Sequence, residues 1–271
     1  MLKKRIITGA GICAAICITV AFSHVTWFLK TVVAYLCLQS IFELYRATGA
    51  KEKRALYRIT CLAAVAVCYL DIPHYETVVS LIFVVAVAVF IYMLVNIKRI
   101  QSIQPAMSVV IACFIVCFYK AMVTIRGEEH GFYILTSAIL LCSVTDIASY
   151  FVGRGIGKHK MAPVVSPNKT VEGGIGGVVC STAFFLLLAF VLDKIGLVSV
   201  YYGKLTIYVV LASLVAEFGD LALSCIKRIV GIKDYGALLP GHGGILDRFD
   251  SLLFVLPFTC LFCSSVGFFR I

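Results

Sequence analysis

The 271-residue chain is 61% hydrophobic and only 14% charged, with a mean hydropathy of +1.02. Soluble globular domains carry roughly 45–50% apolar and about 25% charged residues, which excludes a soluble enzyme, a coiled coil, a collagen and a disordered chain. The net charge of +10 comes from 24 Lys and Arg against 14 Asp and Glu; in such a chain it reads as loops held in the cytoplasm beside anionic lipid, not as nucleic-acid binding.

A helix needs about 20 residues to cross roughly 30 Å of hydrocarbon. Apolar runs at 6–23, 25–45, 55–72, 77–97, 107–125, 131–152, 173–192, 206–226 and 243–265 predict nine crossings. Lys3, Lys4 and Arg5 precede the first run as they would in a signal peptide. No small-residue cleavage site follows and the next run begins almost at once, so this helix is expected to be retained. With the N-terminus inside, 18 of the 24 basic residues fall in inner segments; Arg126, Lys194, Lys204 and Arg270 are outer, and Lys30 and Lys120 lie within spans. That asymmetry obeys the positive-inside rule and puts the C-terminus outside. Most of the 12 cysteines sit in apolar runs, where they act as small hydrophobes. Cys260 and Cys263 have redox spacing but no second pair or histidine nearby. The expected fold is an all-α polytopic integral membrane protein. It forms one membrane domain, 1–271, in which 1–130 is a scaffold or lipid chamber and 131–271 holds most of the polar chemistry.

Charges inside spans cost about 2.5–3.5 kcal/mol each at the helix centre, so acids there are informative. Asp146, Glu217, Asp220, Asp247 and Asp250 all fall in the last four spans, towards their cytoplasmic ends, while Glu43 sits at a boundary beside Arg46. At about 100° per residue, Glu217, Asp220, Ser224, Lys227 and Arg228 share one face of the eighth span. Asp247 and Asp250, three apart, are expected to share a face at the start of the ninth. The short connection between these spans would let Asp220 and Asp247 face each other. Hard oxygen donors suit magnesium, which takes substrate phosphate for the rest of its shell. Spacing alone does not choose between that and an ion pair such as Asp220 with Arg248.

Two inner loops are rich in glycine and base. One carries Lys233, Pro240, Gly241, His242, Gly243 and Gly244, where glycines let the backbone approach a ligand and exposed amides favour anions. With Lys227, Arg228, Lys233 and Arg248 around it, this is a phosphate environment. The other, 153–172, contains Gly153, Arg154, Gly155, Gly157, Lys158 and Lys169, without the spacing of a Walker A loop. Asp146, Ser149 and Tyr150 lie on one helical face leading into it.

The stretch Ser224–Arg228, then Lys233–Asp234, then Pro240–Ser251 with His242, Gly243, Gly244, Asp247, Arg248 and Asp250, resembles the signature of phosphatidate cytidylyltransferases, the CDP-diacylglycerol synthases. Asp146–Tyr150 with Gly153 and Ser166–Gly173 are similar to two further elements of the family, although Asn168 and Val171 stand where lysine and tryptophan are more usual. The likeness covers the C-terminal half; before about residue 140 it extends only to hydropathy and length.

The resemblance implies a transferase that moves CMP from CTP to phosphatidic acid, giving CDP-diacylglycerol and pyrophosphate. The lipid phosphate attacks the α-phosphate of CTP, so metal and cationic side chains matter more than a base. On that reading Asp220 and Asp247 hold Mg2+, with Asp250 and Glu217 as further ligands and room for a second cation. Lys227, Arg228, Lys233, Arg248 and Lys169 meet substrate phosphates. Ser224, His242, Gly243 and Gly244 shape the nucleotide side, and Asp146 with Tyr150 completes the pocket. The expected setting is a bacterial cytoplasmic membrane with the site on the inner face, phosphatidic acid, CTP and the bilayer as partners, and a homodimer as a further option. A CTP-dependent lipid kinase of the polyprenol or dolichol type and an ion-coupled transporter remain open as other classes.

Overall fold

The structure, a computed structural model, describes residues 2–50, 54–70 and 104–269. Its elements in order are α1 (Leu2–Ala21), α2 (Thr26–Ala47), α3 (Arg54–Tyr69), α4 (Gln104–Gly127), α5 (Gly131–Ile156), β1 (Lys160–Ala162), β2 (Ser166–Thr170), α6 (Val171–Lys194), α7 (Tyr202–Ile229) and α8 (Asp250–Ser265). Each helix overlaps one of the expected apolar runs; the run at 77–97 lies outside the described residues. Five helical stretches among the described residues are long and apolar enough to cross a membrane: Thr26–Ala47, Ser108–Gly127, Gly131–Ile156, Val171–Lys194 and Tyr202–Ile229. Ile6–Ala21, Leu56–Tyr69 and Asp250–Ser265 are shorter apolar helices.

The chain forms two compact units, residues 1–127 with 229–249 and residues 128–228 with 250–271. In the first, α2, α3 and α4 pack on one another around Leu29, Val33, Cys37, Ile41, Leu44 and Tyr45 of α2, all buried. Hydroxyl pairs tie the helices where hydrocarbon offers no other partner: Ser40 with Tyr119 at 2.9 Å, Tyr45 with Thr60 at 2.8 Å, and Ser108 donating to Thr48 at 2.7 Å. The two lysines expected inside spans have a specific use. Lys30 Nζ donates to Tyr69 O at 3.3 Å and Lys120 Nζ to Leu70 O at 2.7 Å. They thereby meet carbonyls that the end of α3 leaves without helical partners.

In the second unit, α5 packs along α6 through glycine. A Cβ at Gly173 would lie 2.7 Å from Ser149 O, so only glycine admits this approach. Three buried hydroxyls meet there, Thr145 with Ser181 at 2.9 Å and Thr145 donating to Ser213 at 3.3 Å. Tyr208 of α7 is buried among Phe258, Phe262 and Phe268, its hydroxyl 2.9 Å from Thr259. The connection between α5 and α6 is not a plain loop but an antiparallel hairpin pairing Lys160 with Thr170 and Ala162 with Ser166. Thr170 ends β2 and caps α6, its Oγ1 accepting from Gly173 N at 3.2 Å. The carboxylate of Glu172 accepts from the backbone amides of Lys158 at 3.0 Å and His159 at 3.1 Å, locking the hairpin to the helix start.

Candidate active site

Gly219 brings α7 close to α8: a Cβ there would stand 3.0 Å from Asp250 O and 2.9 Å from Phe254 Cδ2. This approach sets Asp220 near Asp250, close enough for each carboxyl group to act on the other. Lys169 projects from β2 into the same place. Its Nζ is 2.6 Å from Glu217 Oε2 and 2.9 Å from Asp220 Oδ2. Ser149 of α5 also donates to Glu217, through Oε1, and Ser224 donates to Asp220 Oδ1 at 3.3 Å. Asp250 Oδ1 accepts from Ser251 N at 2.8 Å. Asp220 is thus ion-paired with Lys169, a partner that spacing did not suggest.

Burial by itself would lower the pKa of the Lys169 ammonium, but the charges of Asp220 and Glu217 outweigh that and hold it above the usual lysine value. Lys227 is buried one turn beyond Ser224, near enough for its charge to act on Asp220 and Asp250. Asp146 is exposed on α5 and its charge is felt at Asp250. Tyr150, one residue past Ser149, is exposed, and its hydroxyl accepts from Arg154 at 3.0 Å. On this face of α5, Ser149 contacts Glu217. Arg228 is exposed and donates through Nε to Val165 O, at the hairpin turn, at 3.1 Å.

The remaining expected residues belong to the other unit. The ninth span does not run as one helix from 243: α8 begins at Asp250, and Asp247 lies in a turn, so the two acids do not share a helical face. Gly241 and Gly243 adopt φ of 80° and 85°, which stops a helix from starting earlier. Asp247 is buried, and its Oδ2 accepts from Tyr235 N at 2.8 Å and Gly244 N at 3.0 Å. Glu43 is also buried, on α2. Its Oε1 accepts from Ile245 N at 3.0 Å and Gln39 Nε2 at 3.1 Å, and its Oε2 from Leu246 N at 2.9 Å. Two side-chain carboxylates thus replace helical carbonyls as acceptors for this loop. Gly236 is needed for the fit, since a Cβ there would lie 2.6 Å from Glu43 Oε1. His242 sits between the two left-handed glycines with its Nδ1 buried and without a hydrogen-bond partner. Lys233 and Arg248 are exposed.

Reading the sequence placed Glu43 at a helix boundary beside Arg46 and missed its grip on this loop. The available signal is an acid in the last turns of an apolar helix; its neighbour Arg46 donates to Tyr235 O at 3.5 Å. Among the described residues no group of three or more His, Cys, Asp or Glu is arranged to hold a metal ion. Asp220 and Asp250, near each other, are nonetheless the donor type that could hold magnesium, which needs only one or two carboxylates beside substrate phosphate. The cationic Lys169 against Asp220 and Glu217 shows that these oxygens accept positive charge.

Lys169 and Lys227 thus gather with Glu217, Asp220 and Asp250 at the edge of otherwise apolar helices. The chain belongs to the cytidylyltransferase family, whose model matches residues 3–266. Among curated relatives, it is 45% identical over 130 residues to a phosphatidate cytidylyltransferase of Staphylococcus saprophyticus, a match spanning 48% of each chain. It is 42% identical over 143 residues to a phosphatidate cytidylyltransferase of Bacillus subtilis, covering 52% of this chain and 51% of the relative. The chain therefore aligns with about half the length of these relatives.

Proposed function

We propose that this protein is an integral membrane enzyme that transfers CMP from CTP to phosphatidic acid, releasing pyrophosphate and leaving CDP-diacylglycerol in the bilayer. The observation that carries the reading is the Lys169–Glu217–Asp220–Asp250 cluster, in a chain of the cytidylyltransferase family. The names of its relatives supply the lipid acceptor. Nine crossings, an inner N-terminus, an outer C-terminus and a site on the cytoplasmic side of a bacterial membrane complete the proposal.

The acceptor is a phosphate monoester, already anionic, so its oxygen can attack the α-phosphorus of CTP without a general base. The barrier is the repulsion between two polyanions. Lys169 and Lys227 oppose it at fixed positions, their side chains already ordered by Asp220, Glu217 and the helix around them. Arg228, and Lys233 and Arg248 of the other unit, are exposed and able to turn towards phosphate. His242, whose Nδ1 has no hydrogen-bond partner, would lie on the nucleotide side beside the turn of Gly243 and Gly244. Ser224 orients Asp220, and Ser149 orients Glu217. Asp146 and Tyr150 border the cluster on α5. Hard oxygen donors for magnesium are Asp220 and Asp250 in one unit, with Glu217 near them, and Asp247 in the other. When bound, the ion would neutralise phosphate charge and steady the leaving pyrophosphate.

The test is the fate of isotopic label. The full chain in lipid micelles, given phosphatidic acid and magnesium, should move label from α-³²P CTP into lipid and release label from γ-³²P CTP as pyrophosphate. Label from the γ position in lipid would overturn the reading.

A further inference from the structure

A cavity of about 440 Å³ opens between α6 and α7 beneath the hairpin. Its walls are Ile175, Val178 and Val179 from α6 and Leu214 and Phe218 from α7. The volume lies within the range of about 300–1,000 Å³ typical of small-molecule sites. Glu217 is the one charged residue in the lining, and its Oε2 is 2.6 Å from Lys169 Nζ. At the hairpin end Met161 closes over Gly174, where a Cβ would come 2.5 Å from Met161 Cε. A flexible thioether is thus the end wall. Along α6 the lining runs from Val171 to Val179, about 12 Å at 1.5 Å per residue. Ile175, Val179 and Phe218 are each 61% exposed, so the groove is open along its side. Both helices are long and apolar enough to cross a membrane, which makes hydrocarbon the medium at that opening.

A nucleotide does not suit this space. Its base and ribose would leave polar groups unmatched against apolar walls. An apolar trough whose single charged wall residue, Glu217, is paired with the Lys169 ammonium instead matches an amphiphile with an anionic head and a hydrocarbon tail.

We infer that the groove seats one acyl chain of the lipid substrate, its phosphate against Lys169 and its chain running past Glu217 between α6 and α7. The inference rests on the lipid acceptor proposed above. It makes Val178, Leu214 and Phe218 determinants of lipid selection, and the open side of the groove the route from the bilayer.

Two measurements test it on the full chain. In a Trp27→Phe background, which removes the single native tryptophan, Phe218→Trp places a fluorophore on the groove and Phe184→Trp places one elsewhere in the second unit. In phosphatidylcholine vesicles, phosphatidic acid brominated on its acyl chains should quench Phe218→Trp more than the same fraction of brominated phosphatidylcholine. Unlabelled phosphatidic acid should remove the excess, and Phe184→Trp should show none. Equal quenching by both lipids at position 218 would mean that bulk membrane lipid fills the groove, overturning the inference; Leu214→Trp gives the same reading should Phe218→Trp not fold. In the second measurement, Val178→Phe should raise KM for dioleoyl phosphatidic acid by about tenfold while KM for CTP and for short-chain dihexanoyl phosphatidic acid stays near wild type. Equal effects on both lipids would also overturn it. Wild-type protein that turns over neither lipid would refute the proposed reaction, whereas the quenching comparison judges the groove by itself.

Discussion

Lys169 and Asp220, one on a hairpin strand and the other near the end of a long apolar helix, hold their charged atoms 2.9 Å apart. The same ammonium is 2.6 Å from the buried Glu217 carboxylate, so one half-buried cation serves two carboxylates. Removing one partner of a buried pair leaves the other uncompensated, at a cost of about 3 kcal/mol or more. Lys169→Met is therefore expected to lower the unfolding temperature in detergent and to reduce turnover by at least about 100-fold. Thermal unfolding beside a CTP assay checks both; a stable, active variant would remove Lys169 from the site.

The pH dependence of that pair has a definite sign. Because neighbouring acids hold the Lys169 pKa above its ordinary value, its stabilisation is fully present below the unfolded value of about 10.4. It disappears only as pH rises through the higher folded value. The difference in unfolding temperature between wild type and Lys169→Met should stay constant from about pH 6 to about pH 9 and shrink only above about pH 10.

Gly219 is expected to be as sensitive as the acid next to it. Gly219→Ala pushes against Phe254 and the Asp250 carbonyl, moving α7 from α8 and parting Asp220 from Asp250. Turnover should fall by about tenfold or more, since small misplacements of reacting groups are costly. Comparison with Gly203→Ala is informative, because a Cβ there meets nothing within 4 Å; equal effects would contradict the argument.

Glu43 gives a prediction in the other unit. Glu43→Gln keeps one acceptor oxygen and turns an amide donor towards the N–H of either Ile245 or Leu246. An unsatisfied buried donor costs about 1–3 kcal/mol. Amide hydrogen exchange at Ile245 and Leu246 should accelerate in this variant, while exchange at Ala138 in α5 stays slow.

Much of this arrangement is visible in the amino-acid order, for a physical reason. Apolar runs near 20 residues mark helices without reference to their neighbours, and a 100° step places Glu217, Asp220 and Ser224 together on α7. What escapes is structure made by distant partners. The turn at Ile245 and Leu246 is held by Glu43, some two hundred residues earlier, which takes both amides. The hairpin depends on Glu172 collecting the Lys158 and His159 amides. Lys169 reads as a generic phosphate contact until the fold sets it against Glu217 and Asp220. Ser149 and Tyr150 are indistinguishable by spacing, and only packing against Glu217 selects Ser149.

The most direct measurement is turnover by Asp220→Asn, which keeps shape and removes one charge from the cluster. With unfolding temperature within a few degrees of wild type, CMP transfer to phosphatidic acid should drop by at least about 100-fold. A folded Asp220→Asn protein that makes CDP-diacylglycerol at close to the wild-type rate would contradict the account.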